Sequence, residues 1–181
     1  MSPDWPIETE RLTLRPFEEG DLDALFAMQS NPEVARYLYN EPRTLDETRP
    51  YLARKIAGAS LDAEGDWLSC AAVERASGVV VADIALHWQS AEHKAAELGY
   101  ISDPRHQGKG YATEASCAIV DWAFAQGFHR VIGHTEARNT ASARVLEKLG
   151  MRREAHFVEN EWVKGEWQSG FVYAILEHEW C

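Results

Sequence analysis

Apolar and polar residues alternate over several stretches of the chain, with the period of two expected for strands that bury one face. In residues 11–17, for example, Leu12 and Leu14 alternate with Thr13 and Arg15. The strands predicted from such patterns are residues 11–17, 67–74, 79–88, 95–102, 128–136, 152–163 and 167–176. Short turns that contain glycine separate two pairs of them and predict hairpins.

Helices are predicted where apolar residues recur three and four positions apart behind a capping residue. Thr44 and Glu47 form the capping box of a helix that reaches about residue 59, although Pro50 favours a start nearer Arg49 or a kink. The other predicted helices are one that carries Leu22, Leu25 and Phe26, a short one over 31–37, and longer ones over 111–126 and 140–149. This order of elements predicts one mixed α/β domain without repeats or linkers.

Composition narrows the possible partners and the compartment. Eighteen Lys and Arg against 29 Asp and Glu give a net charge of −11, which argues against binding to nucleic acid or an anionic membrane. Cys70, Cys117 and Cys181 are too few and too scattered for a disulfide framework. Neither a signal peptide nor an apolar run long enough for a bilayer is recognisable. We therefore expect a soluble, cytoplasmic domain.

The segment between the strand at 95–102 and the helix at 111–126 has the strongest chemical character. Gly108 and Gly110 allow close approach of backbone to a ligand, and the helix directs unpaired N–H groups and the positive end of its dipole into the loop. Arg105 and Lys109 add positive charge. The pattern predicts an anion site, although two glycines alone are equally consistent with a flexible turn that starts a helix.

Other sites fit the sequence poorly. The P-loop pattern is absent, and the dinucleotide-binding pattern fails because Thr113 occupies the place of its third glycine. The serine-hydrolase elbow is also absent, and the seven histidines form no recognisable metal-binding motif, so no metal is predicted. Cys70 and Cys117 lie in apolar segments and are predicted to be core residues rather than nucleophiles.

Four motifs resemble those of the GCN5-related N-acetyltransferases, and within them the RimJ/RimL branch. They are Arg105-x-x-Gly108-x-Gly110, Arg11-Leu-x-Leu-Arg-Pro, Glu97-Leu-Gly-Tyr-Ile, and Asn139-x-x-Ser142 followed by Leu149-Gly150-Met151. The resemblance covers residues 7–176 and implies a single N-acetyltransferase domain over residues 7–178. The implied fold is mixed α/β: a central, mostly antiparallel twisted sheet of about six to seven strands, with helices on both faces and a splayed strand pair at the cofactor cleft.

The resemblance also implies acetyl-CoA as the cosubstrate, an amine as its acceptor, and residues that hold the cofactor; a homodimer is compatible with it. The implied cofactor-binding residues are Tyr100, Ile101, Ser102, Arg105, His106, Gln107, Gly108, Lys109, Gly110, Tyr111, Ala112, Thr113 and Asn139. In the family the loop holds the pyrophosphate, while backbone N–H groups near 100–102 pair with the pantetheine arm and stabilise the oxyanion. Asn139 is equally compatible with a simple helix N-cap.

Acetyl transfer requires an unprotonated amine, so a base is expected for an α-amine of pKa about 7.7–8.0 and more so for a lysine of about 10.4. Glu97 is the best candidate, since the family commonly has a glutamate at this position. It shares one strand face with Gly99 and Ile101, but alternation does not say which face lines the cleft, and Glu97 fits a solvated strand charge equally well. Weaker alternatives are Asp66, His87 and His134.

The departing thiolate is protonated in many family members by a tyrosine seven residues after the motif asparagine, and that position is Leu146 here. Ser142 offers a hydroxyl instead, and a hydrogen bond can suffice for a thiol of pKa about 8.5. We therefore expect an acetyl-CoA-dependent N-acetyltransferase in which a protein N-terminal or small-molecule amine attacks directly through a tetrahedral intermediate, with Glu97 and Ser142 as catalytic residues. The missing tyrosine keeps open a second hypothesis, a catalytically silent module that binds acyl-CoA.

Overall fold

The computed structural model describes residues 1–180 and contains one eight-stranded sheet, so Cys181 lies outside the described residues. The strands are β1 (Ile7–Glu8), β2 (Leu12–Arg15), β3 (Trp67–Glu74), β4 (Val79–Ser90), β5 (Ala95–Ser102), β6 (Arg130–Glu136), β7 (Arg152–Val163) and β8 (Glu166–Leu176). The helices are α1 (Leu22–Gln29), α2 (Pro32–Ala35), α3 (Leu45–Ala57), α4 (Tyr111–Ala125) and α5 (Thr140–Lys148). No helix within residues 1–180 is long and apolar enough to cross a bilayer.

The strands lie in the order β1-β2-β3-β4-β5-β6-β8-β7, and every neighbouring pair is antiparallel except β5 with β6. The seven strands predicted from the sequence are confirmed with small differences at their ends, and the mixed α/β fold with them. The eighth strand is β1, which has only two residues and pairs with Leu14 and Thr13 of β2. Two residues are too few to produce an alternation pattern.

Helices cover both faces of the sheet, and each face has its own apolar core. The larger core joins the sheet to α4 and α5 through fully buried residues such as Ile84, Ile119 and Leu146. The smaller core joins the opposite face to α1 and α3 around Leu25 and Leu52. Alternate residues of a strand belong to different cores, because successive side chains point to opposite faces.

The start of α3 differs from the expectation based on Pro50. The helix begins at Leu45, directly after the capping box in which Thr44 and Glu47 bond to each other's backbone N–H groups. Pro50 is therefore the sixth helical residue, and its missing N–H removes the helical partner of the Asp46 carbonyl. Asp46 is exposed, so water can satisfy that carbonyl and the capping box decides where the helix starts.

The parallel pair of β5 and β6 is short. The pairing involves only Ala95, Ala96 and Glu97 of β5, and in β6 it ends at Ile132. Beyond this point β5 still pairs with β4, and β6 still pairs with β8, but the two strands no longer bond to each other. The splayed strand pair expected from the sequence is thus present at the centre of the sheet.

Helix α5 packs against β6 close to this split. A Cβ atom placed on Gly133 would lie 2.5 Å from Cδ2 of Leu146, whose side chain is 1% exposed. Glycine at position 133 therefore allows Leu146 to press against the strand and sets the distance between α5 and the sheet.

We expect Gly133→Ala to lower the free energy of unfolding by about 1–3 kcal/mol, because the buried Leu146 side chain has little room to yield. Gly99→Ala in β5 is the matched control: the nearest atom to its added Cβ lies 4.0 Å away. This control should be neutral or stabilising by up to about 1 kcal/mol. Denaturant unfolding of both variants tests the expectation, and equal stabilities would contradict it.

Candidate active site

A cavity of about 1390 Å³ opens where β5 and β6 separate. One part of its wall is the loop before α4 together with the start of α5, and another part is the segment around α2 together with the β7–β8 hairpin. The volume exceeds the roughly 300–1,000 Å³ of a typical small-ligand pocket, so the cavity has room for two reactants.

Most residues proposed from the sequence come together in this cavity. Its lining includes Glu97, Tyr100, Ile101, Ser102, His106, Gln107, Gly108, Gly110, Tyr111, Ala112, Thr113, Asn139 and Ser142. Arg105 and Lys109 are the two proposed residues that do not line it. Glu97 and Ile101 lie on the sheet face that carries α1 and α3, and residues of both faces of β5 line the cavity, Leu98 and Tyr100 among them.

The glycine loop has the backbone conformation expected of an anion site. After one 3-10 turn over Pro104–His106, Gly108 and Gly110 adopt φ values of 77° and 85°, which favour glycine. Gly110 directly precedes α4, so the unpaired N–H groups of the first helical turn face the cavity beside Ala112 and Thr113. Backbone donors and the helix dipole together favour negative charge there.

The positive charge of Arg105 is already paired. Its guanidinium forms two short contacts with the buried Asp103, Nη2 to Oδ2 at 2.6 Å and Nε to Oδ1 at 3.0 Å. Burial acts to raise the pKa of Asp103, but these hydrogen bonds hold it below its ordinary value. The pair therefore fixes the start of the loop, and an anion bound there would be held by backbone donors rather than by this guanidinium.

Arg11, far away in the sequence, holds the loop from outside. Its Nη1 donates to the backbone oxygen of Lys109 at 2.8 Å, and its Nε donates to Glu114 of α4 at 2.7 Å. The guanidinium also lies 4.8 Å from the ring centroid of Tyr111. The motif at Arg11 was visible in the sequence, but the contact with the loop depends on the position of β2 beside α4.

Two cations on α5 were missed by the sequence analysis. Arg144 and Lys148 are exposed, line the cavity and stand four residues apart on one face of the helix. Their spacing was a usable signal, because α5 follows the asparagine of a recognised motif. They add positive charge to the wall of the cavity.

Glu97 is part of a hydrogen-bonded pair with His134 of β6. Its Oε1 lies 2.9 Å from Nδ1 of His134, and its Oε2 accepts a 2.7 Å bond from Gln89. Burial acts to raise the pKa of Glu97, but the bonds from His134 and Gln89 lower it below the ordinary value. The same bond raises the pKa of His134, with a further contribution from the charge of Glu161.

Further carboxylates surround this pair. Tyr39 donates a 2.7 Å hydrogen bond to Glu161, and burial together with that bond raises the pKa of Tyr39 to about 12. Glu136 also lines the cavity; its side chain is 6% exposed, one oxygen accepts from Arg138, and the other has no hydrogen-bond partner. We call Glu97, Glu136 and Glu161 the acidic wall. It can hold a cation.

The hydroxyl groups of the site lie on the opposite face of the sheet. Tyr100 donates to the backbone oxygen of Ser142 at 2.8 Å, and its hydroxyl lies 3.0 Å from Oγ of Ser142. Asn139 caps α5 by accepting from the Ser142 N–H at 3.1 Å, so the N-cap interpretation of Asn139 is confirmed. Leu146, at the position where the family has tyrosine, is buried against Gly133 and does not line the cavity.

Of the three weaker base candidates, His134 lines the cavity and the other two do not. Asp66 accepts the backbone N–H groups of Asp62 and Ala63, and His87 stacks on Trp67 at 4.4 Å between ring centroids. Neither Asp66 nor His87 lines the cavity. Within residues 1–180, no group of three or more His, Cys, Asp or Glu side chains is placed to hold a metal ion.

Comparison with known proteins agrees with this geometry. The profile of the acetyltransferase (GNAT) domain matches residues 11–152. An uncharacterized N-acetyltransferase of Bacillus subtilis, YnaD, is 31% identical over 96% of this chain and 98% of its own length. A crystal structure of a GNAT-family acetyltransferase from Bacillus anthracis has a TM-score of 0.84 at 32% identity, covering 96% of this chain and 99% of that one.

A third relative is a spermidine N-acetyltransferase from Vibrio cholerae, solved in complex with CoA and spermine. Its TM-score is 0.79 at 25% identity, covering 94% of this chain and 98% of that chain. The RimJ/RimL branch stays a prediction, because a ribosomal-protein-S5-alanine acetyltransferase from Vibrio fischeri shares the fold at only 20% identity. The family itself is established by the profile and the full-length relatives: the chain belongs to the GNAT acetyltransferases.

Proposed function

We propose that the protein transfers the acetyl group of acetyl-CoA to a primary amine on a small, positively charged acceptor. The observation that carries the proposal is the position of the Glu97–His134 pair, which lies at the split of β5 and β6 in the same cavity as the glycine loop. A base and an anion site that share one cavity are what acetyl transfer from a diphosphate-bearing donor to an amine requires.

The cofactor half of the cavity has the chemistry of acetyl-CoA. The backbone donors at Gly108, Gly110 and the start of α4 suit a diphosphate, and Arg144 and Lys148 suit further negative charge on the same molecule. Beyond Glu97 the β6-facing edge of β5 has no strand partner, so its backbone groups are available to an extended pantetheine arm. In this arrangement the N–H groups near 100–102 stabilise the oxyanion.

The Glu97–His134 pair can take the proton of the attacking amine. The raised pKa of His134 is closer to the pKa of an amine than the pKa of a free carboxylate is, so His134 is the better match as a base. Glu97 stabilises the imidazolium once it forms. His134 is half exposed, so the proton can pass from it to solvent. In this proposal His134, a weaker alternative in the sequence analysis, is the base, and Glu97 stabilises its charged form from the neighbouring strand.

The acidic wall supports a cationic acceptor over a neutral one. Glu136 is paired with Arg138 through one carboxylate oxygen, and its other, buried oxygen has no hydrogen-bond partner and could accept from an ammonium group. Glu161 stands close enough to influence the pKa of His134 and therefore lies near the base. The Vibrio cholerae relative that contains CoA and spermine is a polyamine acetyltransferase, which supports the same class of acceptor here.

Release of free thiol from acetyl-CoA, measured over a panel of amines, tests the proposal directly. We expect turnover with di- and polyamines and much slower turnover with neutral monoamine analogues of equal length. Binding of coenzyme A, measured by calorimetry, without thiol release for any amine would favour the silent acyl-CoA-binding module instead.

The proposed role of His134 as the base leads to a prediction about the pH dependence of kcat. The neutral form of His134 is the base, so kcat should rise with pH as His134 loses its proton. The midpoint of this rise should lie above the ordinary histidine pKa of about 6.5. Glu97→Gln removes the carboxylate that raises this pKa, so the acidic limb should move to lower pH while the plateau of kcat falls about 10- to 100-fold. The control Glu92→Gln, exposed in the turn before β5, should leave the profile unchanged. An acidic limb that does not move in Glu97→Gln would contradict the pairing.

The acidic wall leads to a second prediction. Glu161→Gln should raise KM for a polyamine about three- to tenfold, as expected for a partly exposed charge pair worth about 1 kcal/mol, and leave KM for acetyl-CoA unchanged. Glu159→Gln is the matched control, since Glu159 lies on the same strand, is exposed and does not line the cavity. Equal changes in the two variants would indicate a general effect of surface charge and would argue against a cation subsite.

A further inference from the structure

Three small residues lie side by side on the sheet face that carries α1 and α3. Ser69 of β3 is opposite Ala85 of β4, and Ala85 is opposite Gly99 of β5, so the three form one row across three strands. All three line the cavity, and a Cβ atom added to Gly99 would meet only Cβ of Ala85, at 4.0 Å. The space above the row is therefore open. We call the row and the space above it the trough.

The rows on either side of the trough carry larger side chains. On one side Trp67, His87 and Glu97 are opposite one another across the same three strands. On the other side Asp83 is opposite Ile101. Rows on one sheet face lie about 7 Å apart, because successive side chains alternate between the two faces. A gap that is one row wide suits a single unbranched chain.

Helix α3 lies along the trough and closes one end of it. Nζ of Lys55 lies 2.8 Å from Oδ1 and 2.7 Å from Oδ2 of Asp83, and this buried ion pair holds the helix beside the row. At the end of the helix, the Ser69 N–H donates to the Gly58 oxygen at 2.6 Å, and a Cβ atom on Gly58 would lie 2.7 Å from the Trp67 oxygen. Because α3 touches β3 here, the trough ends at Ser69 and opens towards the split.

The closed end carries a hydroxyl group without a partner. Ser69 is 5% exposed and lines the cavity, and its Oγ forms no hydrogen bond within residues 1–180. Buried polar atoms are normally hydrogen-bonded, and a hydroxyl can donate or accept. A polar group of a ligand that reaches this end would therefore find a partner in Ser69.

An ammonium group is compatible with this end of the cavity. Asp83 neutralises the charge of Lys55, and Arg54, a second cation of α3 that lines the cavity, is exposed, so solvent screens its charge. Trp67 also lines the cavity and is half exposed, and an indole ring attracts cations.

We propose that the trough binds the unbranched chain of the acceptor, with the reacting amine at the Glu97–His134 pair and a second polar group on Ser69. Gly99 lies two residues from Glu97 on the same strand face, so a chain that starts at the pair enters the trough directly. Ala85, in the middle of the row, sets the width that a chain must fit. The inference rests on the proposed acetyl transfer and narrows its acceptor to linear amines. From β5 to β3 the trough spans two strand spacings, about 10 Å.

The dependence of KM on chain length in the unmodified protein is the first test. KM is measured by thiol release with linear diamines from diaminopropane to diaminododecane at saturating acetyl-CoA. It should fall about tenfold from diaminopropane to diaminooctane, as the second nitrogen reaches Ser69. It should rise again for diaminododecane, because the trough is closed at β3. A KM that does not depend on chain length would overturn the inference.

Ala85→Val narrows the trough and leaves the Glu97–His134 pair in place. KM for diaminooctane should rise about tenfold, while KM for diaminopropane and for acetyl-CoA should stay within about twofold. Ala95→Val is the matched control, since Ala95 lies on the same face of β5 and is partly exposed but does not line the cavity. Equal changes for the long and the short diamine, or equal changes in the two variants, would overturn the inference.

Ser69→Ala tests the closed end. It should raise KM for diaminooctane about three- to tenfold and leave KM for octylamine unchanged, because octylamine has no second polar group to lose a hydrogen bond. An unchanged ratio of the two KM values would contradict the role of Ser69. These outcomes with thiol release intact would overturn this inference alone, whereas absence of thiol release with every amine would overturn the proposed function.

Discussion

The site depends on the early end of the parallel pairing between β5 and β6. Once the strands separate after Glu97 and Ile132, each presents one edge of backbone N–H and C=O groups without a strand partner. Such groups are costly to bury unless something else satisfies them. Helix α5 lies beside both strands at this point: Tyr100 of β5 bonds to Ser142, and Gly133 of β6 contacts Leu146. These contacts hold α5 beside the split and leave the backbone edge of β5 open to an extended ligand.

Charge divides the cavity in a way that the net charge of −11 hides. Near the glycine loop, Asp103 neutralises Arg105 and Glu114 neutralises Arg11, so the backbone donors of the loop carry much of the local field. Elsewhere the cavity is lined by the acidic wall and Tyr39, together with the cations Arg36 and Arg54. In the proposed reaction, the diphosphate of the donor and the charged acceptor would occupy different parts of this one cavity, which would orient both before any chemistry takes place.

Local patterns were sufficient for most of the fold and for the position of the glycine loop before α4. Hairpins, helix caps and the glycine loop are encoded by residues close together in the sequence, and the structure places these elements within a few residues of the predicted bounds. The partner of Glu97 could not be found in this way, because the bond to His134 depends on the parallel register of β5 with β6. Alternation assigned Glu97, Gly99 and Ile101 to one face, but only packing against α1 and α3 decided which face it is.

The pleat of β5 also separates two polar clusters of the cavity. Glu97 and Tyr100 are an odd number of residues apart, so their side chains point to opposite faces of the sheet. Glu97 meets His134 on the face covered by α1 and α3, and Tyr100 meets Ser142 on the face covered by α5. In the proposed reaction, a thioester held in the split would lie between the Glu97–His134 pair on one side and the hydroxyl groups of Tyr100 and Ser142 on the other. One strand thus supplies both polar clusters through its ordinary alternation.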